Sequence, residues 1–126
     1  MKIMLAVAMG GAIGAVGRYL VMNAVGTWLG HGFPWGTFTV NLVGSFILGV
    51  ILEGSALAWS PPPELRALLV VGFLGAFTTF STFSMDSYYL IDRGQVAQAA
   101  AYIAGSVVLC VLGFWAGIAL LRQILA

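Results

Sequence analysis

Five hydroxyl side chains, Thr78, Thr79, Ser81, Thr82 and Ser84, stand with Phe80 and Phe83 in the heptad Thr-Thr-Phe-Ser-Thr-Phe-Ser, within an apolar stretch, 67–91, long enough to cross a bilayer. At that depth no water satisfies a hydroxyl unless the protein encloses some, so the heptad points to a membrane path for a small polar solute. Phe80 and Phe83 are three apart and share a helix face. An aromatic ring is positive at its edge, and an edge turned to a pore stabilises an anion weakly, without the tight site that Lys or Arg creates. The same spacing also suits ordinary packing, with the hydroxyls bonded back to carbonyls one turn earlier. Spacing alone leaves both readings open.

Other polar groups are sparse. Asn41 falls about 7 Å inside the second apolar segment by helical rise; its amide donors suit either a passing anion or an interhelical hydrogen bond. Tyr102, Ser106 and Cys110 are spaced at i, i+4 and i+8, a narrow stripe of donors on one helix face. Arg18, about sixteen residues into the first segment, needs a watery vestibule, where it would attract anions, or a structural bond to carbonyls or a neighbouring subunit. Asp86 is the acidic residue well inside a predicted span, the kind of group a proton-coupled exporter requires. Catalysis finds no support: there is one histidine, His31, one cysteine, and neither a carboxylate pair nor a metal-ligand spacing.

The elements that position these groups follow from composition. With 61% hydrophobic and 7% charged residues the chain has no soluble surface, and 126 residues accommodate four spans with short loops. An all-α membrane protein is expected, one membrane domain with spans near 3–29, 36–58, 64–91 and 95–121. The first segment begins with Lys2 but continues past signal-peptide length, so it reads as an uncleaved span. Gly10, Gly14 and Gly17, and later Gly113 and Gly117, offer close-packing faces. Trp28, Trp35 and Trp59 fall at span ends, and Pro61, Pro62 and Pro63 form a stiff link. In the third span the stretch before the heptad, 67–77, reaches only about 16 Å. Gly72 and Gly75 precede the hydroxyls, so a break near 75–79 is expected, giving two half-helices and free carbonyls at mid-depth. Lys2, Arg66 and Arg122 face Arg93 across the membrane, a bias too weak to impose one orientation.

Taken together, Gly17-Arg18-Tyr19, Gly36-Thr37 leading to Val40-Asn41 and Gly44-Ser45, and Gly72-Phe73-Leu74-Gly75 followed by the heptad resemble the Fluc (CrcB-like) family of fluoride channels over the whole chain. The resemblance implies an antiparallel, dual-topology homodimer in the cell (inner) membrane, with two fluoride pores along its interface that export fluoride passively. It implies pore roles for Asn41, Phe80, Phe83, Ser81 and Thr82, a polar track through Tyr102 and Ser106, and a structural sodium ion on the main-chain carbonyls of Gly75 and Thr78. Fluoride, lipid and a second copy are the implied partners, with no role for nucleic acid. This chain departs from the family pattern at Ala76, where a second glycine is common, at Asp86, where glutamate is usual, and at Cys110, where a hydroxyl would extend the track. The rival reading, a small dual-topology multidrug transporter, calls for an acidic residue in the first span, where this chain has Arg18 instead.

Overall fold

The computed structural model describes residues 1–125. Helix α1 (Lys2–Leu29) ends at Gly30, whose φ of 83° lies in the left-handed region open to glycine and lets its N–H return to the Gly26 carbonyl. Helix α2 (Trp35–Leu57) follows Pro34. After the prolines the third span enters as α3 (63–77), which is α-helical at Pro63–Arg66, widens to π-helix over Ala67–Leu74 and closes at Gly75–Phe77. Thr78 and Thr79 are then extended, with ψ of 158° and 123°. Helix α4 (Phe80–Asp92) completes the span, and α5 (Val96–Leu125) runs on past the expected end at Leu121. Among the described residues four spans are long and apolar enough to cross a membrane, and the third is broken, as the short stretch before the heptad and its glycines led us to expect.

The break lets the third span change neighbours. Before it, α3 lies on α1; after it, α4 leans on α5; α2 sits beneath the junction and packs along α5. Glycine makes both pairings close. A Cβ at Gly10 or Gly14 would overlap the backbone of Leu68 or Phe73, and one at Gly117 would overlap the Phe46 carbonyl. Gly72 presses back against the Val7 carbonyl and the backbone of Gly10 and Gly11 within the π-helical stretch. Between 11% and 28% of the most apolar window of each span is buried inside the chain, so lipid or a second chain must cover the rest.

Polar groups at the far end of α2 and α5 are paired. Arg122 Nε donates to Glu53 Oε1 at 3.0 Å; Glu53 is buried, whereas the Arg122 side chain is 67% exposed. Solvent screening on the arginine side holds the pair below the cost of breaking a fully buried one. Arg122→Gln should therefore lower stability by on the order of 1–2 kcal/mol. Thermal melting in detergent checks this, and Glu53→Gln in the same chain should restore part of the loss. An unshifted melting point for Arg122→Gln would remove this pair from the forces holding α2 to α5.

Candidate functional site

Asn41 organises the break. Its Oδ1 accepts from the Thr79 N–H at 2.7 Å, and its Nδ2 donates to the Thr79 carbonyl at 3.0 Å. An extended residue in mid-membrane has no helical partner for either group, and one carboxamide supplies both. Since an N–H only donates, the amide must face it with its oxygen, which leaves one Nδ2 hydrogen uncommitted. The interhelical bond that the sequence left as one of two readings is thus present, and Asn41 also lines a cavity.

The heptad hydroxyls divide their work. Thr79 Oγ1 caps α4 by accepting from the Thr82 N–H at 3.1 Å and shares a hydrogen bond with Ser81 Oγ at 3.3 Å. Thr78 Oγ1 donates back to the Leu74 carbonyl at 2.8 Å, and Ser84 Oγ to the Phe80 carbonyl at 3.0 Å. Arg18 Nε donates to the Ala76 carbonyl at 2.9 Å, placing positive charge at the C-terminal end of α3, where the helix dipole is negative. Arg18 is not among the residues lining the two cavities described below, and its bond within the chain is to the break.

A cavity of about 450 Å³ opens at the break. Asn41 and Ser45 from α2, Gly75, Thr78 and Thr79 from the junction, Phe80 and Phe83 from α4, and Ser106 and Cys110 from α5 contribute to its wall, and no charged residue does. The two rings are 5.3 Å apart, yet Phe80 is 76% exposed and Phe83 only 8%. Helical spacing aims them alike, but Phe83 meets the Tyr102 ring at 5.1 Å while Phe80 overhangs the open side. Ser81, Thr82 and Tyr102 flank this cavity without lining it.

A second cavity, about 280 Å³, lies towards the other face and is lined in part by His31, Thr37, Asp86, Tyr89 and Arg93. Asp86 Oδ2 accepts from Thr37 Oγ1 at 2.6 Å and from the Tyr102 hydroxyl at 3.3 Å. Contacts therefore run unbroken from the first cavity through Phe83 and Tyr102 to Asp86 at the second. Thr37 escaped the sequence reading, although a signal existed: Thr37, Asn41 and Ser45 are spaced by four on α2, mirroring Tyr102, Ser106 and Cys110 on α5.

Comparison with known proteins places this architecture. A family model described as CrcB-like protein, Camphor Resistance (CrcB), matches residues 5–118. The chain belongs to the CrcB-like family. A relative from Rhodospirillum centenum named Fluoride-specific ion channel FluC is 54% identical over 126 residues, the whole of both chains. One of the same name from Nitrobacter winogradskyi is 54% identical over 120 residues, 95% of each chain. Another from Geobacter sulfurreducens is 44% identical over 124 residues, 98% of this chain and 100% of the relative.

In this CrcB-like chain the break has an electrostatic consequence. The first amides of a helix lack intrahelical acceptors, and only that of Thr82 is taken up by the cap. The N-terminal end of α4, which carries partial positive charge, therefore lies at the cavity wall beside Phe80. Ser106 Oγ is buried there with no hydrogen-bond partner among the described residues. The wall is mostly apolar, with Leu48, Val70, Leu74, Val107 and Val111 in it, and offers a few neutral donors and a dipole end: chemistry poorly suited to holding an anion tightly.

Proposed function

We propose that this protein is a fluoride-selective channel of the cell membrane that lets fluoride leave passively down its gradient. The observation that carries this is the uncharged, largely apolar cavity at the helix break, into whose wall a few neutral donors converge, in a chain whose relatives bear the name of fluoride-specific ion channels. Fluoride is small and strongly hydrated. A path must replace its water with several modest donors in series, each weak enough to release the ion. Asn41, the amide end of α4, the Phe80 and Phe83 ring edges and the Ser106 hydroxyl form such a series, with Ser81 and Thr82 at its flank; Tyr102 and Thr37, whose hydroxyls donate to Asp86, hold the wall behind Phe83. No catalytic step is part of this function. Expression in bacteria stripped of their own fluoride exporter tests it in the cell: growth in millimolar-range fluoride should return, and continued sensitivity despite membrane-inserted protein would count against it.

A second, antiparallel copy completes the path. The cavity is open where Phe80 and Gly75 are exposed, and four helices are too few to enclose a pore. With near-balanced loop charges each orientation inserts, and the dimer has two pores along its interface, one per copy of the break. A cysteine placed at the N-terminus of Cys110→Ser chains should react with an impermeant reagent in about half of the molecules in intact cells; labelling of all or none would exclude dual topology.

A structural sodium ion is part of the same proposal. Hard carbonyl oxygens suit a hard cation. Around the break the Leu74 and Ala76 carbonyls are taken by Thr78 and Arg18, and the Thr79 carbonyl by Asn41. The Gly75 and Thr78 carbonyls lie where the helical ladder stops and accept none of the side-chain or junction hydrogen bonds found among the described residues, and these would hold sodium, its charge stabilising the break. Replacing sodium with N-methylglucamine should lower the melting temperature of the purified dimer, with sodium restoring it at constant ionic strength. Identical melting in both cations would leave the site without support.

A further inference from the structure

The cavity wall contains one group that fluoride passage does not require. Cys110 lies near the middle of α5, partly exposed, and lines the cavity with Ser106 one turn before it and Ser45 opposite on α2. Ser106 is only 5% exposed, and its Oγ has no hydrogen-bond partner among the described residues. That is a choice made by its surroundings, because Ser55, Ser84 and Ser87 all donate to the carbonyl four residues earlier. A buried hydroxyl that forgoes this bond keeps a hydrogen-bonding capacity that nothing among the described residues meets, beside the cavity that Cys110 lines.

We propose that Cys110 and Ser106 form a binding site for a soft monovalent cation, of which silver(I) is the type, reached from water through the cavity, and that filling it stops fluoride. A thiol is the softest donor available, and thiolate selects soft metals over sodium or potassium. Binding is a proton exchange without redox: the sulfur–hydrogen bond gives way to a sulfur–silver bond and the proton leaves to water. Ser106 and Ser45 supply supplementary oxygens, and no cationic side chain lines the wall to repel the metal. A hydrated cation does not cross lipid, so a thiol at mid-membrane depth reacts with it only through a watery cavity. Silver on the wall then takes the Ser106 hydroxyl out of the donor series. It also sets the bulk of the metal in the path; because silver replaces a proton the net charge of the site is unchanged, and fluoride is stopped by that bulk and by the lost donor.

The stopping of fluoride rests on the channel reading above; the metal site does not. Protein in chloride-free nitrate vesicles is exposed to micromolar silver nitrate, freed of unbound metal, and assayed both for silver per chain and for fluoride efflux. Each rate is divided by that of the same untreated protein. Bound silver should fall by about one per chain in Cys110→Ser and in Cys110→Ala. Efflux of the unaltered chain should fall about tenfold or more and recover with dithiothreitol, while both variants lose nothing to silver. Equal silver content in all three chains would overturn the site. Silver held at Cys110 with undiminished efflux would overturn its closing of the path and place conduction away from this cavity. Untreated vesicles that release no fluoride would defeat the channel reading instead, and the silver content would still decide the site.

Discussion

Asn41→Asp is expected to reduce fluoride efflux at neutral pH by about a hundredfold, on the reckoning that a cost near 3 kcal/mol is two decades of rate. The cost has two sources. The substituted oxygen loses the hydrogen bond to the Thr79 carbonyl and confronts its lone pairs, while the other oxygen still accepts from the Thr79 N–H. The carboxylate also places negative charge in the wall of the cavity, where low dielectric makes repulsion of an anion costlier than in water. Acid offers an internal check, because the introduced carboxyl, once protonated, regains a donor for the Thr79 carbonyl and loses its charge, so efflux should recover in part as pH falls. Asn41→Ala loses both bonds without adding charge and should lie between. Rates are compared per folded dimer at matched melting temperature, against protein-free vesicles. Full efflux through Asn41→Asp would remove this residue from the path.

The phenylalanine pair should separate conduction from folding. Phe80 is 76% exposed in the single chain, so Phe80→Ile leaves its interior untouched and removes only the ring edge from the cavity wall. Efflux should fall by about tenfold or more with the helical content of each chain unchanged, on the premise that edge contact serves the ion in transit. Phe83 is buried against Tyr102, so Phe83→Ile should show the same loss of efflux together with about 1 kcal/mol of destabilisation from imperfect repacking. Wild-type efflux in both variants would return the pair to ordinary packing.

Much of this architecture is legible in the residues, because lipid admits few solutions. The four apolar stretches require helices, and a third stretch with glycines ahead of five hydroxyls invites a break. What escaped depends on contacts between distant residues. Nothing in Ala67–Leu74 announces a π-helix; Gly72 seated on the backbone of α1 belongs to packing that the local sequence does not encode. The spacing of Phe80 and Phe83 indicates a shared direction, but only Tyr102 behind Phe83 makes one ring buried and the other exposed. Asn41 stood open between ion and helix, and the fold uses its amide for Thr79 while leaving a hydrogen over. Arg18 could have faced water or carbonyls, and its choice turns on where α3 ends, 58 residues away. Thr37 and Asp86, 49 residues apart, became partners through the same tertiary geometry.

The central claim is a passive, fluoride-selective path made by this chain alone. Its most direct test loads vesicles containing only the purified protein with equal potassium fluoride and potassium chloride, balances charge with a potassium ionophore, and follows both anions by electrode with no proton gradient applied. Rapid loss of fluoride with chloride retained is the predicted result. Chloride leaving as fast as fluoride, or fluoride leaving only when a proton gradient is imposed as in a coupled exporter working through Asp86, would contradict it.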